Sequence, residues 1–157
     1  MILMGVIGHK NVGKTTLTER LVAELTARGL IVSTLKRTHH ALDLDTPGTD
    51  THRHRMAGAR QVMLATDARI ALMEEVAEPT LDDLLARLAP CDVVLAEGWK
   101  HGTHPRIEVW RPETGAPPLA AADPTIRAVA AKGAPDVTQP VLDLDDVPAI
   151  ADLICST

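Results

Sequence analysis

The apolar residues of this chain fall in short blocks whose spacing alternates between continuous and helical. Met1 to Ile7 is an almost unbroken apolar run closed by Gly8. From Lys14 to Arg28, Leu17, Leu21, Val22 and Leu25 recur at helical spacing, and Gly29 follows as a helix stop. Ile31 to Leu35 reads as a second strand, so the first 36 residues predict a strand-helix-strand unit with parallel strands and a right-handed crossover. Arg37 to Thr51 loses the period and gathers His, Asp, Thr, Pro and Gly, which predicts a long loop. Beyond it the pattern predicts a short helix over Thr51–Ala57, strands at Gln61–Ala65 and Ile70–Met73, and a helix over Thr80–Leu88. Asp92 to Glu97 reads as a strand buried on both faces. Ile107–Trp110, Ala128–Ala131 and Val141–Leu144 are further strands, with Val147–Ile154 as a closing helix.

Composition narrows the class. At 157 residues, 45% hydrophobic and 24% charged, the chain predicts one soluble globular domain over residues 1–157. Trp99 and Trp110 are its only aromatic residues, so the core must be built from Val, Ile, Leu and Ala, which suits a buried parallel sheet. A net charge of -5 argues against a broad nucleic-acid surface. The first residues enter a strand directly, with no basic n-region, cleavage site or long apolar run, so neither secretion nor membrane spanning is expected and the cytoplasm is the expected location. Cys91 and Cys155 are too isolated for a disulfide framework or a zinc CxxC site.

The chemistry concentrates in one segment. Gly8, His9, Lys10, Asn11, Val12, Gly13, Lys14 and Thr15 satisfy GxxxxGK[ST], with Thr16 next, a strand before and an amphipathic helix after. Glycines let the backbone curl until successive N–H groups converge on phosphates, and the helix N-terminus adds partial positive charge. Lys14 is the expected neutraliser of the β and γ phosphates, and the Thr15 hydroxyl the expected Mg²⁺ ligand. Such a site needs an acid at the end of a neighbouring strand, and Glu97, closing VVLAE before Gly98, is the best candidate; Asp50 is a secondary candidate for a metal or water ligand. Asp45 to Gly48 also spell DxxG, but without a preceding apolar strand they read mainly as a turn.

Base choice and the remaining polar clusters leave alternatives open. Asn11 is the only asparagine, so the guanine-reading NKxD motif is absent, and GTP does not follow from spacing alone. Ala130, Ala131 and Lys132 can be read as a short SAK-type loop or as a plain strand end. The seven histidines cluster as His39 with His40, His52 with His54 and His101 with His104, with His9 in the glycine-rich loop. A metal site, an anion rim formed by Lys36, Arg37, His39 and His40, and a solvated loop all remain readings. Trp99, Lys100, Arg106 and Trp110 can either hold a flat anion or close the core.

Three blocks resemble the MobB family of molybdopterin-guanine dinucleotide biosynthesis adaptors: GHKNVGKTTL at residues 8 to 17; KRTHHALDLDTPGTD at 36 to 50 with Arg55 and AGA at 57 to 59; and DVVLAEGWKH at 92 to 101 followed by PRIEVWR. Arg37 stands where His is common and Trp99 where Phe is frequent. The resemblance implies a three-layer P-loop NTPase fold of the α/β class, a mostly parallel sheet with helices on both faces and some antiparallel strands. It also implies a homodimer that binds GTP and Mg²⁺, hydrolyses GTP weakly, and assists the molybdenum cofactor guanylyltransferase. Carried over, Gly8 to Thr16 become the GTP phosphate site with Lys36, His39, His40 and Lys100 beside it, and Thr15 and Glu97 the metal region. Lys14, Glu97 and Asp50 become the residues closest to hydrolysis, and Thr38 to Arg55 a surface for molybdopterin or the partner enzyme. No Gln stands beside Gly98 to orient water, and Arg37 and Arg55 are the only arginines to test at the transferring group, so hydrolysis should be slow. Two rivals stay in view: a small-molecule kinase using Lys14 and Mg²⁺, and a nickel-insertion GTPase suggested by the histidines.

Overall fold

The computed structural model describes residues 1–38 and 43–157. The chain forms two compact units, one of Met1–Thr38 with Leu84–Thr157 and one within His39–Asp83. The first holds six strands: β1 (Ile2–Ile7), β2 (Val32–Lys36), β5 (Val93–Glu97), β6 (Arg106–Trp110), β7 (Ile126–Ala131) and β8 (Val141–Asp143). They lie in the order β2-β5-β1-β6-β7-β8, every neighbouring pair parallel. The second unit carries the antiparallel pair β3 (Gln61–Ala65) and β4 (Ile70–Glu74) and a short helix α2 (Asp50–Met56). The mostly parallel sheet and the antiparallel pair both match the expectation from sequence.

Alternation along the strands gives the sheet two different faces. On one, Met4, Val6, Val93, Leu95, Ile107 and Val109 meet Leu17, Leu21 and Leu25 of α1 (Lys14–Ala27) and Ile150, Ala151 and Ile154 of α4 (Val147–Cys155) in a single core. A fully buried leucine such as Leu21 contributes about 1.5–3 kcal/mol there. On the other face Ile7, Ile126, Val129 and Ala131 pack with Ala120 of a 3-10 turn (Leu119–Ala121). Glu108, fully buried on this face, accepts the Leu119 and Ala120 N–H groups at 2.7 and 2.8 Å, so its charge is met by two backbone donors.

Element boundaries moved for local reasons. Thr49, whose side chain accepts the His52 N–H, caps α2 and starts it at Asp50 rather than Thr51. The helix expected over Thr80–Leu88 is α-helical only at Leu81–Leu85, here α3. Thr80 and Asp83 exchange side-chain bonds to each other's backbone N–H and fix its start. At its end Arg87 and Leu88 donate to the carbonyls three residues back, at Leu84 and Leu85, and tighten the turn. No helix among the described residues is long and apolar enough to cross a membrane.

Candidate phosphate and metal site

Between β1 and α1 the chain turns through Gly8 (φ 144°), Asn11 (φ 62°) and Gly13 (φ 97°). At Gly8 a β-carbon would stand 2.4 Å from the Val109 carbonyl oxygen, so β1 can turn beside β6 only without a side chain. Gly13 caps α1 in the left-handed conformation and no side chain bonds the first-turn N–H groups, which leaves them directed out of the helix as donors for an anion. Val12 is fully buried in the core, so of this residue only the main chain faces the loop. Lys14 crosses the loop, its Nζ donating to the His9 carbonyl at 2.5 Å and the Gly8 carbonyl at 3.3 Å. Burial lowers the Lys14 pKa from its ordinary value; Glu97 opposes the shift, and Lys100 and Lys36 add to it.

Glu97 ends β5 in register with Val6 of β1 and Lys36 of β2, which sets its carboxylate beside the loop. Its side chain is only 10% exposed and bonds tightly: Thr15 Oγ1 donates to Oε1 at 2.9 Å, and Lys36 Nζ lies 3.4 Å from the same oxygen. Lys36 Nζ also donates to Thr15 Oγ1 at 3.3 Å. Gly98 (φ 95°) follows, where a β-carbon would meet the Arg37 carbonyl oxygen at 2.7 Å. A threonine hydroxyl and a carboxylate in contact at a strand's carboxyl end form the hard-oxygen pair that suits Mg²⁺, so the residues present fit that ion. These groups line a cleft of about 360 Å³ with Thr18, Glu19, Val22, Thr34 and Leu35.

The other predicted residues are distributed as follows. The His9 ring bonds the Pro117 carbonyl at 3.1 Å, while Lys10, Asn11, Thr16 and Lys100 are exposed. His39 and His40 lie outside the described residues. Asp50 opens α2 in the second unit, where its carboxylate is 3.9 Å from Arg53. In that unit Arg55 is held by Asp43 at 2.9 Å and Glu75 at 3.0 Å. Asp45 to Gly48 form a turn that the Thr49 N–H closes onto the Thr46 carbonyl. Lys132 follows β7 and pairs with Asp143 and Asp145. Among the described residues, no three His, Cys, Asp or Glu side chains gather as metal ligands would.

The flat-anion reading of Trp99, Lys100, Arg106 and Trp110 fails. Trp99 is 5% exposed and Arg106 2% exposed. The Arg106 guanidinium is committed to the Lys100 carbonyl, the Thr125 hydroxyl and Asp123, while Trp110 Nε1 donates to the Ala116 carbonyl. The two tryptophans close the core. One residue that the sequence reading did not assign is Arg111, directly after β6, whose Nε donates to the Val12 carbonyl at 2.9 Å and ties that strand end to the glycine-rich loop.

Residues 3–132 match the family described as molybdopterin guanine dinucleotide synthesis protein B, MobB. The chain belongs to the MobB family. It is similar to the molybdopterin-guanine dinucleotide biosynthesis adapter protein of Haemophilus influenzae, with 39% identity over 155 residues, 97% of this chain and 86% of that one. The adapter protein of the same name from Escherichia coli K12 is 35% identical over 158 residues, 97% of this chain and 90% of that one. The crystal structure of a MobB homologue from Bacillus stearothermophilus superposes with a TM-score of 0.75 at 28% identity, covering 100% of both chains. These MobB relatives span the β1 to β7 framework on which the loop, Glu97 and Arg111 are mounted.

Proposed function

We propose that this chain is a GTP-binding adaptor of molybdopterin-guanine dinucleotide synthesis, which binds Mg·GTP at Gly8 to Thr16 and assists the guanylyltransferase that joins the nucleotide to molybdopterin. The observation that carries the reading is Thr15 Oγ1 bonded to Glu97 Oε1 at 2.9 Å beside the uncapped start of α1, in a member of the MobB family. Backbone N–H groups from Asn11 to Thr16 receive the phosphates, and Lys14 exchanges its two loop carbonyls for phosphate oxygens. Thr15 and Glu97 would hold Mg²⁺, which would supply charge neutralisation at the phosphates. Lys36 and Lys100 add positive charge at the same rim, and both already act on Lys14.

Hydrolysis is weak. Arg55, one of two arginines considered for the transferring group, is engaged by Asp43 and Glu75, which leaves Arg37 to test. The protein works as a homodimer in the cytoplasm. The dimer reading is supported by apolar side chains that β3 and β4 leave in solvent, with Met63 63% and Ile70 68% exposed. The test is reconstitution: the chain added to a molybdenum cofactor guanylyltransferase with molybdopterin and Mg·GTP should raise dinucleotide yield, and Lys14→Ala should remove the gain. Equal stimulation by the variant would refute a role for the loop.

A further inference from the structure

The metal pair lies on the β5 side of the glycine-rich loop, so the nucleoside of a bound nucleotide must extend to the other side, over β6. A second cleft of about 700 Å³ lies there, walled by Lys10, Asn11 and Gly13 of the loop and by Arg111, Glu113 and Thr114 after β6. Its place in the topology is diagnostic. From β1 the chain crosses to β2 on one side of the sheet, and from β6 it continues to β7 on the other, so the loops leaving these adjacent parallel strands enclose the switch point.

We infer that this cleft is the base site and that Glu113 reads guanine. The inference rests on the nucleotide-binding reading above and adds the residue that chooses the base. Among the described residues the side chains of Lys10, Asn11 and Glu113 have no hydrogen-bond or ion-pair partner, so a carboxylate, an ammonium and an amide line the same open cleft unpaired. Guanine offers two adjacent donors, N1–H and the 2-amino group, which one carboxylate can accept together, and on its opposite edge the acceptors O6 and N7, which suit Lys10 and Asn11. Adenine presents a lone pair at N1 and a donor in place of O6, so it would set a lone pair against Glu113 and an amine against Lys10.

Glu113 sits on a braced turn. Thr114 Oγ1 donates to the Arg111 carbonyl at 2.9 Å, the Gly115 N–H to the Pro112 carbonyl at 3.0 Å, and Arg111 holds the Val12 carbonyl. The bracing fixes the carboxylate's anchor relative to the phosphate loop, so base and phosphates are read by one connected frame.

The experiment is calorimetric titration of the full chain with GTP, ITP, XTP and ATP in Mg²⁺, using the native protein, Glu113→Ala and Glu113→Gln. The native chain should prefer GTP to ITP by about tenfold and to ATP by about 100-fold or more. Glu113→Ala should lose about 100-fold for GTP and little for ATP. Glu113→Gln should gain for XTP, because the glutamine amide offers one acceptor and one donor to the xanthine N1–H and O2. Equal losses for GTP and ATP would place Glu113 on the ribose or in loop support and overturn the inference, as would unchanged binding. A native chain that binds GTP through Lys14 but ignores Glu113 refutes only this inference; one that binds no nucleotide refutes the underlying reading as well.

Discussion

The two flanks of the phosphate loop differ in how their charges are settled. On the β5 side Glu97 is nearly buried and already shared by Thr15 and Lys36, all within 3.4 Å. On the β6 side Glu113 is exposed, lines an open cleft and has no partner among the described residues. A flank whose groups satisfy one another is positioned before a ligand arrives and would exchange internal bonds for metal and phosphate on binding. A flank with free donors and acceptors discriminates, because a wrong ligand leaves them unpaired in a narrowed site. Changes on the first flank should therefore alter metal dependence without altering base choice, and changes on the second the reverse.

The sharpest way to break this contrast is Gly98→Ala. Its β-carbon would meet the Arg37 carbonyl oxygen at 2.7 Å with φ at 95°, so Glu97 cannot keep its place. A loss of about 2–5 kcal/mol in urea unfolding is expected from strain and overlap combined. Thr15→Ala comes next. It should weaken Mg·GTP binding by about 10–100-fold, abolish most of the gain from Mg²⁺, and leave the GTP to ATP ratio unchanged. Arg111→Ala removes the brace on Val12 and should weaken GTP by about tenfold with the Mg²⁺ gain intact, as seen by titration with and without EDTA.

The smallest effect is a proton. Burial lowers the Lys14 pKa in the free protein, and a bound phosphate should raise it again. The ligand prefers the protonated form, so binding takes up protons in the alkaline range below the ordinary lysine pKa, and affinity falls as pH rises through the depressed value. Calorimetry in buffers of different ionisation enthalpy should show uptake in the native chain and none in Lys14→Ala where that variant still binds.

The sheet flank was largely legible because its signals are local. A glycine pattern between an apolar run and a helical period can be read within 30 or so residues, and Glu97 announces itself by closing a run of four apolar residues. Arg111 was not legible, since its partner Val12 is 99 residues away and only the parallel pairing of β1 with β6 brings them together. Arg106 left two readings open for the same reason: as a basic residue near Glu97 it fitted an anion site as well as the core, and its distant partners Thr125 and Asp123 decide for burial. In the second unit the β3 and β4 strands were readable, but their apolar residues gave no sign that Met63 and Ile70 would be exposed, because period alone does not say what covers a face. Thr80–Leu88 was read too long because the leucine spacing continues past the point where hydrogen bonds tighten.

In the proposed function Lys14 and the N–H groups beside it hold the phosphates of GTP. Equilibrium titration of metal-stripped protein with GTP and Mg²⁺, native against Lys14→Ala, tests it directly. Saturable binding to the native chain is expected, with a loss of at least about 100-fold, near 2.8 kcal/mol, in the variant. Equal affinity in the two proteins, or no binding to either, would contradict it.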